Sequence, residues 1–162
     1  MRIHNVHRRR LAATPARVGA LIDTLSSAED RLWPGDAWPP MRFDRPLGVG
    51  ADGGHGPIRY HVEAYDPGRF VVFRFSGPAG LSGTHRFEVE RDGEGAILGH
   101  VIDGGAVFRF APVWILVFRP LHDALIEDAL DRAEAACTGS IEHPARWSAW
   151  VRFLRRRASR RR

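Results

Sequence analysis

Between Ile58 and Ile102 the apolar residues recur at every second position, and this period limits what the chain can fold into. In "IRYHVEA" they are Ile58, Tyr60, Val62 and Ala64; in "VVFRFS", Val71, Phe73 and Phe75; in "THRFEVE", Phe87 and Val89; in "AILGHVI", Leu98 and Ile102. Alternation of this kind marks strands with one buried face. Asp66-Pro67-Gly68 and Asp92-Gly93 supply turn chemistry between neighbouring runs, so the strands form an antiparallel meander. A further short strand is predicted over Ala106–Phe110, after the Gly104-Gly105 break. A one-faced sheet must be covered, and the period then changes to supply the cover. From Pro112 to Cys137 the residues Trp114, Val117, Phe118, Leu121, Leu125 and Ala129 form one helical stripe. Pro120 lies inside it and predicts a bend there.

Ahead of the meander, residues 3–12 alternate Ile3, Asn5, His7 and Arg9 with His4, Val6, Arg8 and Arg10, a polar strand suited to a sheet edge. Thr14-Pro15 caps a first helix carrying Val18, Leu21, Ile22 and Leu25. "SAEDRLW" predicts a second short helix, stopped by Pro34, and the proline-rich stretch after it leaves no regular structure before Met41–Phe43.

The formal net charge of +5 is unevenly distributed. All 24 basic residues are Arg, eight of them follow His143, and all 19 acids precede it. Residues 1–140 therefore read as a mildly acidic domain, and 141–162 as a basic tail, amphipathic or disordered. A nucleic-acid footprint on the domain is not indicated. Cys137 is the single cysteine, which excludes an intrachain disulfide and favours a reducing compartment. "MRIHNVHRRR" lacks the apolar region of a secretory signal, and the longest apolar run, "APVWILVF", is far short of the roughly 20 residues that cross a bilayer. A cytoplasmic protein is the expectation.

The order is strand, two helices, antiparallel strands, then one long helix. Together with "DRLWP" at 30–34, "WPPMR" at 38–42, "VGADGGHGPIRY" at 49–60 and "RPLHDAL" at 119–125, it resembles the START-like superfamily. These SRPBCC proteins include polyketide cyclases, lipid-transfer START domains and the major birch pollen allergen. The resemblance spans about residues 3–137. It implies an α+β helix-grip fold, in which a curved antiparallel sheet wraps a long C-terminal helix and two short helices follow the first strand. It also implies a cavity between sheet and helix for a small hydrophobic molecule, with no cofactor and no established catalytic residue.

The glycines around His55 lack the G-x-x-x-x-G-K-[ST] phosphate loop, and Pro57 with a period-two strand follows them instead of a helix. They read as a turn at a cavity rim, where His55 and Trp38 can meet a ligand; Trp33, Trp38 and Trp114 are otherwise core or loop anchors. If Asp92-Gly93 is the two-residue turn, Phe87 opposes Leu98 and His85 opposes His100. The two imidazoles are then a buried pair bonded to each other, to water or to backbone, a ligand contact, or candidate acid–base residues. The predicted pocket of about 300–1,000 Å³ has as its lining set Tyr60, Val62, Phe73, Phe75, His85, Phe87, Leu98, His100, Trp114, Phe118 and Leu121. No metal site is expected, because a catalytic zinc site normally needs three protein ligands and only the distant His55 or His122 could complete the pair. The charges of "RPLHDALIEDALDR" read as a solvated helix face.

Three functions fit these residues. The first is binding of a small hydrophobic ligand. The second is a polyketide cyclase or dehydratase using a cavity histidine. The third is a lipid carrier docked to an anionic membrane by Trp147, Trp150, Arg152, Arg155 and Arg156.

Overall fold

The computed structural model describes residues 1–159. Its strands are β1 (Arg2–Leu11), β2 (Arg42–Phe43), β3 (Asp52–His55), β4 (Ile58–Asp66), β5 (Phe70–Gly77), β6 (Leu81–Asp92) and β7 (Gly95–Ala106). They form one seven-stranded antiparallel sheet in the order β1-β7-β6-β5-β4-β3-β2. The period-two segments are its centre, and β1 returns to the edge beside β7.

Helix α1 (Pro15–Ile22) starts where Thr14 Oγ1 accepts from the Arg17 amide at 3.3 Å, with Pro15 in the first turn. Its buried residues Val18, Gly19, Leu21 and Ile22 bring it against the β4–β5 turn. A Cβ at Gly19 would stand 1.8 Å from the Gly68 carbonyl oxygen, so only glycine permits that approach. The expected second helix at 27–33 is absent; the segment is a series of turns. Asp30 explains why. Its carboxylate accepts from the amides of Ser26 (2.8 Å), Leu32 (2.9 Å) and Trp33 (2.8 Å), a local alternative that competes with the helical ladder.

Two further expectations are corrected, one at each end of the β6–β7 ladder. Strand β7 runs through Gly104-Gly105 to Ala106, where its pairing with Leu81 ends. With no strand left to pair, residues 107–110 turn, and the Val107 amide donates to the Gly80 carbonyl at 2.9 Å. The β6–β7 register is displaced by two residues from the expected one. Asp92 pairs with Gly95, so Gly93-Glu94 forms the turn, Phe87 opposes His100 and His85 opposes Ile102. Gly93, with φ +61°, takes the first central position, where a hairpin turn beginning with glycine needs a positive φ. A shift of two leaves every side chain on its expected face.

The covering helix begins with α2 (Ala111–Val113), passes through a π-helical turn at Trp114–Phe118 and continues as α3 (Arg119–Thr138). The wide turn lies immediately before Pro120, with the Arg119 amide bonded back to the Trp114 carbonyl. Pro120 therefore falls in the first turn of α3, where its missing N–H leaves no gap in the ladder. Leu125, Ile126, Ala129, Leu130, Ala133 and Cys137 of α3 are buried with the sheet residues Tyr60, Val62, Val71, Phe73, Phe87 and Leu98 and with α1 in one core.

Helix α4 (Ala149–Ser159) lies on this core. Val151 is buried in it, and Trp147 meets Trp38 edge-on with ring centroids 5.6 Å apart. Both indole N–H groups donate to Asp128 Oδ2, at 2.8 and 2.7 Å. The Arg155 guanidinium sits 4.1 Å from the Trp38 ring and 4.0 Å from the Trp147 ring, and donates to the Ala37 carbonyl. The packing thus crosses the compositional boundary at residue 140.

Candidate functional site

Between the inner face of β5–β7, the π-turn with the first half of α3, the 33–40 loop and the β3–β4 turn lies a cavity of about 620 Å³. The position follows from the helix. Ala129, Leu130 and Ala133 of α3 are buried in the core with the sheet residues, whereas Trp114, Val117, Phe118 and Leu121 nearer the start of the covering helix line the open space.

Of the residues expected to contact ligand, Phe75, His85, His100, Trp114, Phe118 and Leu121 line this space, as do His55 and Trp38. Tyr60, Val62, Phe73, Phe87 and Leu98 lie on the same face but are packed into the core outside the wall. Period two identifies a face, and all of these share it; depth along the strand depends on where the helix touches down. Arg155 and Ala158 of α4 also line the cavity. Among the other tail residues, Trp147 is half-buried against Trp38, Trp150 donates to the Leu116 carbonyl at 2.7 Å, and Arg152 is exposed. Arg156 is exposed as well.

His85 and His100 are 4% and 1% exposed, and His85 Nδ1 lies 3.3 Å from His100 Nε2. The His85 ring stacks on Phe73 and Phe75, each with centroids 4.8 Å away, and Tyr60 meets it edge-on at 4.6 Å. Burial holds both imidazoles well below their usual pKa, and neighbouring histidines push the same way. Both rings are therefore neutral at pH 7. One nitrogen of the facing pair then carries the shared proton, whichever tautomers are adopted. The outer nitrogens, His85 Nε2 and His100 Nδ1, must be one N–H and one lone pair. Neither has a partner in the protein. A hydroxyl, or a carbonyl beside a hydroxyl, offers what they need.

His55 Nδ1 lies 2.9 Å from the Tyr60 hydroxyl, and its ring is 4.7 Å from Trp33. Burial, reinforced by His122 and Arg59, lowers its pKa to about 3. Burial raises the Tyr60 phenol well above its ordinary value, so this pair too is neutral. His122, next to Leu121 of the apolar stripe, is also a wall residue, with its ring centroid 5.0 Å from that of His100. Its spacing of four from Phe118 and three from Leu125 is the available signal. Trp33, Leu81, Ile102, Val117, Leu125 and Ile126 complete much of the apolar wall. Asp36 and Arg155 are the charged residues among the lining. No third donor joins His85 and His100; among the described residues the close group of three metal-ligand side chains is His7, His122 and Asp123.

The sequence matches no protein-family model and no curated protein. The fold is found in several solved structures. CalU16 from Micromonospora echinospora superposes with a TM-score of 0.60 at 14% identity, over 96% of this chain and 83% of that one. The di-domain ARO/CYC StfQ from the steffimycin biosynthetic pathway gives 0.65 at 14% identity, over 86% of this chain and 51% of its own. A Thalictrum norcoclaurine synthase point mutant in complex with a transition-state analogue gives 0.60 at 15% identity, over 80% and 93%. The chain therefore has the α+β helix-grip fold of START-like proteins, as its element order implies. Among the described residues no helix is long and apolar enough to cross a membrane.

Proposed function

We propose that the protein binds a small, largely apolar molecule whose polar group meets His85 and His100. The observation that carries this reading is the pair of unpartnered ring nitrogens in the wall of an otherwise mostly apolar cavity. Leaving such groups unpaired costs about 1–3 kcal/mol each, which a ligand hydroxyl or carbonyl recovers. The volume of about 620 Å³ is in the range of small-molecule sites. Structural neighbours that include an ARO/CYC protein and norcoclaurine synthase support the same reading and extend it to acid–base chemistry on a bound substrate. A neutral pair that offers a proton at one end and accepts one at the other is suited to that role.

Native mass spectrometry of freshly purified protein is expected to show a co-purified small molecule. Leu121→Trp, which fills the cavity, should abolish both that adduct and the fluorescence of bound 1-anilinonaphthalene-8-sulfonate. In the His85→Phe/His100→Phe double variant the apolar probe should still bind while the natural adduct is lost. For a substrate, turnover would fall about 10²- to 10⁴-fold. Unchanged probe binding and an unchanged adduct in Leu121→Trp would remove the cavity from consideration.

A membrane-docked carrier is supported by a separate patch. Leu116, Trp150 and Phe153 are 57%, 46% and 44% exposed. They are linked by the Trp150–Leu116 hydrogen bond and by a Trp150–Phe153 stack at 5.3 Å, and Arg152, Arg156 and Arg157 are exposed on the same helix. Each Arg near an anionic surface contributes about 1 kcal/mol. Phe153→Glu, which leaves Val151 in place, should then eliminate salt-sensitive sedimentation with phosphatidylserine vesicles. Equal sedimentation of both proteins would leave the patch without this role.

A further inference from the structure

On the other side of His122, strand β1 and helix α3 bring a second set of donors together. His7 Nε2 lies 3.1 Å from Asp123 Oδ1, and His122 Nδ1 lies 3.7 Å from the same oxygen. The three ligand atoms are all within 4.8 Å of one another. In a tetrahedral site with bonds of about 2.05 Å, neighbouring donors stand roughly 3.3 Å apart. The two measured distances bracket that edge.

The hydrogen bonding around this oxygen is incomplete. His122 Nδ1 is buried without a partner, and 3.7 Å is too long for a bond to Asp123. Asn5 is 9% exposed; its Nδ2 donates to Asp123 Oδ1 at 2.9 Å, while its Oδ1 is buried with no partner. Rotation of that amide exchanges the two atoms and turns the oxygen toward the cluster. Arg119 approaches only the other carboxylate oxygen, Oδ2, at 3.7 Å. His7 is already oriented, because its Nδ1 lies 2.7 Å from Glu127 Oε1. A carboxylate that holds one imidazole nitrogen while the other faces the ion is the usual support of a metal-binding histidine.

We infer that His7 Nε2, His122 Nδ1 and Asp123 bind a divalent transition metal, with the Asn5 amide oxygen or a water in the fourth position. Two imidazoles and a carboxylate suit Zn²⁺. Binding replaces the proton shared by His7 and Asp123, satisfies the lone pair of His122 and employs the idle oxygen of Asn5. The inference is independent of the cavity ligand, although His122 belongs to both places: its ring lines the cavity and its Nδ1 faces Asp123.

The test uses untagged full-length protein treated with a chelator and titrated with Co²⁺. One equivalent should develop the intense visible bands of a tetrahedral ion, and Zn²⁺ should displace it. His122→Ala should lose the bands, Glu127→Gln should weaken binding about 10- to 100-fold, and His143→Gln should bind as the natural chain does. Zn²⁺ should raise the melting temperature of the natural chain and not that of His122→Ala, with both compared to their metal-free forms so that a folding defect is visible. Absence of the bands in the natural chain, or equal affinity in His122→Ala, would overturn the inference.

Discussion

Arg9→Met is expected to cost about 3–5 kcal/mol at pH 7, the scale for breaking a buried ion pair by removing one partner. One guanidinium serves three carboxylates of α3. Nη1 donates to Asp131 Oδ1 at 2.9 Å and to Glu134 Oε2 at 2.6 Å, and Nη2 donates to Glu127 Oε2 at 3.1 Å. Asp131 and Glu134 are buried, so methionine would leave two carboxylates without their cation in a desolvated seam. The melting temperature should fall by roughly 6–20 °C for a chain of this size. The deficit should also depend on pH. Burial disfavours the Glu134 carboxylate, but hydrogen bonds from the Glu142 amide and from Arg9 outweigh it and hold its pKa below the ordinary value. A depressed carboxyl pKa stabilises the fold above the unfolded value of about 4.5, and the contribution is lost as pH falls through the folded value. The natural chain should therefore lose stability below about pH 4.5, whereas the deficit of Arg9→Met should narrow there as the unpaired Glu134 takes up a proton. Urea unfolding at pH 7 and pH 4 measures both. A variant within 1 kcal/mol of the natural chain at pH 7 would show that the seam is solvated.

That seam marks the limit of what could be read from the sequence. Asp123, Glu127, Asp131 and Glu134 recur at spacings of four, four and three along α3, and in a lone helix such a stripe reads as a solvated face. In β1 the alternate residues Asn5, His7 and Arg9 read as the polar side of an edge strand. Each pattern has the ordinary signature of exposure, because charged residues are seldom buried unless paired. Only their juxtaposition turns both inward, and a pairing between residues more than a hundred apart leaves no periodic trace in either segment. The meander was legible because its signal is local, as was the face shared by His85 and His100. The exact register was not: Asp92-Gly93 and Gly93-Glu94 are adjacent choices for the turn, and they differ by where one glycine takes its positive φ. The cavity was legible as a face, but not how far along each strand it reaches. Phe73 and Phe75 are equivalent by period, yet only Phe75 reaches the empty space.

Removing residues 143–162 is expected to lower stability by about 3 kcal/mol and to open the cavity, even though their composition is that of a detachable basic tail. Val151 is buried in the main core, and burying a side chain of that size contributes about 1.5 kcal/mol. The Arg155 guanidinium lies against two indoles, an arrangement that contributes about 0.5–2 kcal/mol. Without residues 143–162, Trp38 keeps its bond to Asp128 but loses the Trp147 ring and the Arg155 cation that cover it. At roughly 2–4 °C per kcal/mol the melting temperature should drop by about 6–12 °C. The second effect bears on function. Arg155 and Ala158 form part of the cavity wall, so their loss lets water reach the Trp38 side and should speed release of a bound apolar probe. Val151→Asp should reproduce the loss of stability in the full-length chain. Arg155→Met keeps the helix and removes its charge from the wall, which separates the lid from the anchor. A truncated protein that melts within about 2 °C of the full chain and releases the probe at the same rate would assign α4 to the surface, and would leave the cavity to be closed by the 33–40 loop alone.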